Sequence, residues 1–364
     1  MQRWEKLLVF IILIIGCSIF FWKIADFRSP IVDEVDFLYS GWRIAEGSIP
    51  YKDFFIGQPP MLFFFFAGLF KLFGPNALFV RYLNATVASF LVFLIFLVGS
   101  KLQNWKVGVL SGLILVFDPL LLFFSKAIDL EIYVAFLDFI AIGYFYFRRD
   151  RIGDKGLLFV AAILTLGLYT KLHSAFTFAA IFLFLFFNER HIGKAVKLLM
   201  FYAIFSGAIF ILLLSYAGPE FIWQVFLFYI MRGISQPNAI ISVLVGLSPI
   251  ALILGLAGIF FSKLERKSGE FLLMYYLILQ MFFLSRGPFW DHQTVAVLPA
   301  LTVFAGIFIY QAWREGFPLD IGRLRQVKLK AIAVVILALI LLSPTLPDAF
   351  EQASSRIELA LNPD

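Results

Sequence analysis

The chain reads as an all-α polytopic membrane protein with about eleven transmembrane helices. Three observations carry that reading. Of its 364 residues, 62% are hydrophobic and only 15% charged, and the mean hydropathy is +0.92, far from the balance of a soluble globular domain. Apolar runs long enough to span a bilayer recur along the whole length. The basic residues gather in short loops between those runs, which is a topology signal. One membrane-embedded domain therefore fills residues 1–364, with a first outer loop at 25–77 and a short outer tail at 347–364. The formal charge of +6 does not point to nucleic acid, because the cations form no continuous stripe. Cys17 is the single cysteine, so an intrachain disulfide and a cysteine-based metal or redox site are excluded. Three scattered histidines and one cysteine make no zinc-ligand cluster.

Taken in order, Leu7–Ile24 is the first apolar run. It is too long for the core of a signal peptide and no small-x-small site follows, so a retained helix is expected. Further runs begin near Leu78, Val107, Ile132, Leu157, Ser174, Val196, Ala239, Phe271, Thr294 and Ala331. A spanning helix needs roughly 17–25 residues. Met61–Phe73 is shorter and carries Lys71, which fits a helix lying in the interface. Its phenylalanines are lipid-facing or core filler and have no cofactor meaning; a groove for a lipid tail and a plain membrane-lying strut are both open readings of this helix. Pro119 and Pro249 are isolated, marking local kinks or helix ends. No internal repeat of the kind many transporters carry is present.

The charges decide whether Met61–Phe73 crosses. If it does not, the N-terminus and the loops Lys101–Lys106, Arg148–Lys155, Glu189–Lys197, Lys263–Glu270 and Trp313–Lys330 share the cytoplasmic side and hold 19 of the 30 Lys and Arg. If it crosses, every later loop flips and the basic ones face outward, against the positive-inside rule. The N-terminus is thus expected inside a plasma-membrane protein, with the acidic loop after the first span outside. The outer side then collects Asp33, Glu34, Asp36, Arg81, Lys126, Asp129, Glu131, Lys171, His173, Arg232, Arg286, Asp291 and His292. Carboxylates and cations from distant parts of the chain on one face suit an anionic substrate at the outer leaflet. Charge next to the lipid boundary is costly to keep without a role.

From Asp33 the sequence runs Asp-Glu-Val-Asp-Phe, then Ala-Glu-Gly-Ser-Ile-Pro-Tyr-Lys-Asp-Phe-Phe, Gln-Pro-Pro-Met, Leu-Phe-Gly-Pro-Asn and Arg81. This stretch resembles the opening of C-type glycosyltransferases, especially the protein-mannosyltransferase and aminoarabinose-transferase superfamily. There an acidic pair follows the first helix, and Pro-Pro leads into a membrane-lying helix ending in Phe-Gly. Asp129-Leu-Glu131 is similar to the acidic position of the family's second outer loop. Gly167-Leu-Tyr-Thr-Lys171 is similar to its Thr-Lys motif, and His292 with Leu298-Pro-Ala to a late-helix pattern. The resemblance covers roughly residues 7–310. Gln58 stands where some relatives have Lys, Asp36 where aminoarabinose transferases have Arg, and the soluble C-terminal domain of several relatives is missing from these residues.

The resemblance implies an inverting transfer of a monosaccharide from a polyprenyl phosphate, dolichyl or undecaprenyl, to a hydroxyl of a glycan, lipid or protein. A carboxylate suits deprotonation of the acceptor, and fixed cations suit the leaving phosphate. On this basis Asp33 is the expected base, with Glu34 orienting it or touching sugar or acceptor. Both would also suit the acidic first turn of a juxtamembrane helix. Lys171, Arg81, His292 and Arg286 are candidates for the donor phosphate, although a lone cation at a helix end also snorkels to the interface and a histidine at a helix start can be structural. Asp129 and Glu131 could touch sugar or acceptor, solvate a loop, or with Asp33 complete an oxygen site for Mg²⁺ or Mn²⁺; no cofactor is required. His173 and His191 carry no functional expectation. A non-catalytic protein that binds or flips a polyprenyl-linked lipid is the alternative, and it has no need of Asp33 as a base.

Overall fold

A computed structural model of the protein describes residues 16–18, 20–22, 32–228, 247–261, 269–285 and 291–315. Most of the run from Leu7, the start of the run at Ala239, the run at Ala331, Arg232, Arg286 and the 347–364 tail lie outside the described residues. Within them the protein is helical and forms no strand, only an isolated bridge between Pro50 and Phe54.

The helices are α1 (Val32–Ala45), α2 (Met61–Phe73), α3 (Ala77–Leu102), α4 (Trp105–Val116), α5 (Pro119–Ser125), α6 (Leu130–Arg148), α7 (Asp154–Thr170), α8 (Ala175–Leu183), α9 (Ile192–Ala217), α10 (Pro249–Phe261), α11 (Gly269–Leu284) and α12 (Leu298–Glu315). Every predicted run within the described residues is helical. Three helices, α3, α6 with its one-turn extension to Arg151, and α9, are long and apolar enough to cross a membrane unaided. The pair α4 and α5 makes a fourth if its 60° bend is a broken span. That bend falls where Pro119 denies the helix a backbone donor and Asp118 caps the new one by accepting from Leu120 N at 2.9 Å. The remaining apolar helices among the described residues are shorter than 18 residues, and the expected runs at Leu7 and Ala331 lie largely or wholly outside those residues. After α8 a π turn at Phe184–Asn188 continues the helix, and the apolar helix Leu172–Asn188 as a whole is among these shorter ones.

Close helix crossings use small residues, as expected where lipid supplies no hydrophobic drive between helices. Gly99 faces Gly108 between α3 and α4, and a Cβ at Gly258 on α10 would overlap the backbone of Phe304 on α12.

The connections sort into two ends. At one end Gln103 Nε2 donates to Glu270 (2.9 Å), Gly269 N donates to Tyr146 OH (3.3 Å), Lys197 pairs with Asp154 (2.8 Å) and Arg149 approaches Glu189 (4.0 Å). These belong to the loops that the basic residues group together. The opposite end carries α1, α2 and the loop between them, held by a second apolar cluster containing Tyr51, Phe63, Phe66, Ile128, Tyr133 and Phe221. Phe63 and Phe66 are thus core, while Phe65 is exposed. The polar 46–60 segment is folded and clasped by Gln224, whose amide donates to Tyr51 O (2.6 Å) and accepts from Ile56 N (2.9 Å). Helix α2 starts after Pro60 and stops at Gly74, whose φ of +78° suits glycine.

Candidate active site at the end of the bundle

Helix α3 supplies the frame. Its N-cap Asn76 accepts from Phe79 N at 3.0 Å, and Arg81, one turn in, binds Glu34 in two-pronged fashion through Nε (2.5 Å) and one terminal nitrogen (3.1 Å). Glu34 is fully buried and Arg81 nearly so. A pair of this geometry fixes the angle of α1 on α3. One turn further, buried Asn84 donates from its amide to the carbonyls of Phe124 (3.1 Å), Ser125 (3.2 Å) and Ala127 (2.5 Å). Backbone carbonyls that leave α5 without helical partners are satisfied there, and the chain is delivered to Asp129.

Asp129 is the N-cap of α6, its Oδ1 accepting from Glu131 N at 2.7 Å. It is buried, and burial pushes its carboxyl up to about 7 against the opposing pull of Lys171, with Glu131 and Asp33 adding to the rise. Asp33, in the first turn of α1, is exposed and lies near enough to Asp129 to act on it electrostatically. The first-turn position of Asp33 and Glu34 is therefore real, and it leaves Asp33 exposed.

Glu131 is the hub. Its Oε1 accepts a very short bond from Lys171 Nζ, and its Oε2 lies 2.8 Å from His173 Nε2. All three side chains are buried. Lys171 ends α7 with extended backbone, and a single 3-10 turn, Leu172–Ser174, returns the chain into α8. Ser174 Oγ donates to Asp138 Oδ1 at 2.5 Å, seven residues along α6 from Glu131. Gly167 permits this close return, because a Cβ there would overlap the Ser174 hydroxyl. Gln280 of α11 closes the far side of His173, and Phe283 stacks on its ring with centroids 5.6 Å apart. His292 sits edge-on to Phe124 at 6.1 Å. Burial first, and then Lys171, hold it down to about 4, so its ring is neutral near pH 7.

The structure thus brings together Asp33, Asp129, Glu131, Lys171 and His292, while Glu34 and Arg81 bind each other beside that group. Arg286 lies outside the described residues. His173, Gln280, Asn84 and Asp138 are additions that the motifs do not single out; their signal is an isolated polar residue in or beside an apolar run. The Mg²⁺ or Mn²⁺ site that Asp33, Asp129 and Glu131 offered as one alternative does not fit. Both Glu131 oxygens are engaged by nitrogen donors, and among the described residues no three His, Cys, Asp or Glu side chains are arranged to hold an ion. Chemically, the cluster offers a buried ammonium, a histidine-bound carboxylate and an exposed carboxylate within one end of the bundle.

Comparisons with known proteins agree with the resemblance to C-type glycosyltransferases that use polyprenyl-phosphate sugars. Residues 57–216 match a family model described as dolichyl-phosphate-mannose-protein mannosyltransferase. No curated sequence aligns significantly with the chain. The fold is similar to that of ArnT from Cupriavidus metallidurans bound to undecaprenyl phosphate, with a TM-score of 0.63 at 14% identity over 92% of this chain and 70% of that one. It is also similar to the archaeal oligosaccharyltransferase AglB from Archaeoglobus fulgidus in complex with an inhibitory peptide and a dolichol-phosphate (TM-score 0.59, 16% identity, 97% of this chain and 56% of AglB). A third match is the Archaeoglobus fulgidus oligosaccharyltransferase in complex with zinc and sulfate, with a TM-score of 0.60 at 13% identity over 92% of this chain and 52% of that one. At these identities the likeness is one of fold.

Proposed function

We propose that this chain, which carries the fold of C-type glycosyltransferases, is an inverting glycosyltransferase working at the extracytoplasmic face of the cell membrane. The donor is a monosaccharide on a polyprenyl phosphate and the acceptor is a hydroxyl. The observation that carries the reading is the buried Lys171–Glu131–His173 group next to Asp33 and Asp129, at the end of the bundle opposite the basic loops. With the cytoplasmic side assigned by the positive-inside rule, that end faces outward and the N-terminus faces inward, in a chain of about eleven spans.

In the reaction the acceptor oxygen attacks C1 of the sugar from the face opposite the phosphate. The C1–O bond breaks, its electron pair leaves with the polyprenyl phosphate, and the anomeric centre inverts. Asp33, an exposed carboxyl group, takes the acceptor proton, a role worth about 10²–10⁴-fold in rate. Lys171 receives the phosphate charge in a site from which water is largely excluded, where a fixed cation acts strongly. Neutral His292 can donate one hydrogen bond to a phosphate or sugar oxygen. Glu34 and Arg81 act together, holding α1 so that Asp33 meets the acceptor; Arg286 is a further phosphate candidate. Asp129, partly protonated near pH 7, is suited to a sugar or acceptor hydroxyl.

The test is transfer of label from a panel of radiolabelled dolichyl- and undecaprenyl-phosphate monosaccharides by purified protein, with membrane extract as acceptor. Label moving from lipid to a product supports the proposal and identifies sugar and acceptor. Tight donor binding without transfer from any donor would overturn it in favour of a lipid-binding or lipid-flipping protein.

A further inference from the structure

Three contacts of His173, with one more made by its partner Glu131, together determine where its protons are. The amide of Gln280 donates from Nε2 to the backbone carbonyl of His173 (3.3 Å), so its Oε1 is the atom facing His173 Nδ1 (3.2 Å). The opposite amide orientation would set oxygen against oxygen. An amide oxygen only accepts, so Nδ1 must carry a hydrogen. On the other side, Nε2 lies 2.8 Å from Glu131 Oε2, and one proton must lie between them. Glu131 Oε1 is bound to the Lys171 ammonium, which stabilises the carboxylate form and leaves that proton on the nitrogen. Both ring nitrogens then donate.

We propose that His173 is an imidazolium whose charge, held by Gln280 and Glu131, leaves the buried Lys171–Glu131–His173 group with a net charge of +1 and so makes it a site for a phosphate-bearing lipid. This rests on the proposed function for its ligand, but not for its charge. A Lys–Glu pair alone is neutral and would attract a phosphate weakly. The second cation restores the field while Glu131 keeps the two cations apart. His173 acts through the group and is a positioning residue. The titratable and charged groups around it are Glu131 and Asp138 on α6, Lys171 in its own turn, and His292 before α12; α11 contributes Gln280 and the Phe283 ring. Sequence alone conceals this, since His173 looks like a helix-end histidine.

Two readouts test it. The first needs no ligand: nitrogen NMR of ¹⁵N-histidine-labelled protein in lipid nanodiscs near pH 7, with His173→Gln assigning its signals among the three histidines. An imidazolium pattern, with both nitrogens protonated, is expected; a neutral-ring pattern overturns the proposal whatever the ligand. The second is binding of undecaprenyl phosphate and of undecaprenol to wild type, His173→Gln and Gln280→Leu in the same nanodiscs. A missing unit charge at this range in a partly desolvated site should weaken phosphate binding by about tenfold or more in His173→Gln. Binding of the uncharged alcohol should be unchanged. Equal loss of phosphate and alcohol binding would mean a merely structural role and overturn the proposal. An imidazolium in a wild type with no preference for the phosphate over the alcohol would instead refute the phosphate reading of the site, and with it the ligand half of the inference.

Discussion

Replacing Arg81 by Met would strand the Glu34 carboxylate in the position where the helix pair now buries it. Glu34 has no exposed surface and Arg81 retains 12%, so the two removals are not equivalent. Breaking a buried pair by deleting one partner typically destabilises by about 3–5 kcal/mol because an uncompensated charge remains. Arg81→Met should fall in that range. Glu34→Leu should cost less, about 1–3 kcal/mol, since the long Arg81 side chain can reach water. Removing both leaves no buried charge, and apolar replacements of similar volume are often neutral, so the double variant should lie within about 2 kcal/mol of wild type. The cycle then gives a coupling energy above about 2 kcal/mol. Unfolding in mixed micelles, followed by tryptophan fluorescence, measures all four proteins. Additive effects, with coupling below about 0.5 kcal/mol, would refute the argument that this pair fixes α1 on α3.

Three further outcomes are expected. Asp129 has a folded-state carboxyl raised to about 7 from an ordinary 3.8; the folded protein therefore holds the extra proton between those values, and this residue's contribution to stability is present below about 4 and lost as pH rises through about 7. Asp129→Asn, which keeps the cap, should flatten the stability profile in that window, and an unchanged profile would contradict the assignment. Gly258→Ala should destabilise the protein by about 1–3 kcal/mol, because the new methyl group meets the Phe304 backbone and not a mobile side chain; thermal unfolding in detergent checks it, and wild-type stability would refute the close crossing. Exhaustive chelation should leave undecaprenyl phosphate binding unchanged, since the Glu131 oxygens are already occupied by Lys171 and His173; loss of binding restored by Mg²⁺ or Mn²⁺ would contradict that.

Much of this arrangement is legible in the sequence because lipid imposes simple rules. Among the described residues, the basic loops Lys101–Lys106, Arg148–Lys155 and Glu189–Lys197 lie at one end, tied by pairs such as Lys197 with Asp154, and the outer-side candidates Asp129, Glu131 and Lys171 meet at the other. The short apolar run is a helix at Met61–Phe73, and Pro119 marks a bend. Span lengths are less legible, because hydropathy registers apolar content and not a bend such as the one at Asp118 and Pro119. The partnerships inside the site are hidden for a different reason. Asn84, Asp138 and Gln280 are single polar residues on apolar helices, and nothing in their local spacing says which neighbour they reach. Each is buried and bonded to a group 36 to 107 residues away. His173 is likewise ordinary until helix packing sets Glu131 and Gln280 on its two sides.

The central claim is that Asp33 removes the acceptor proton at this site. It is tested most directly by measuring release of polyprenyl phosphate by Asp33→Asn protein, using the donor that wild type turns over fastest, alongside donor affinity. The account predicts turnover lower by about 10²–10⁴-fold with donor affinity unchanged, because an exposed residue is altered without a change of shape. Turnover near the wild-type rate would contradict it.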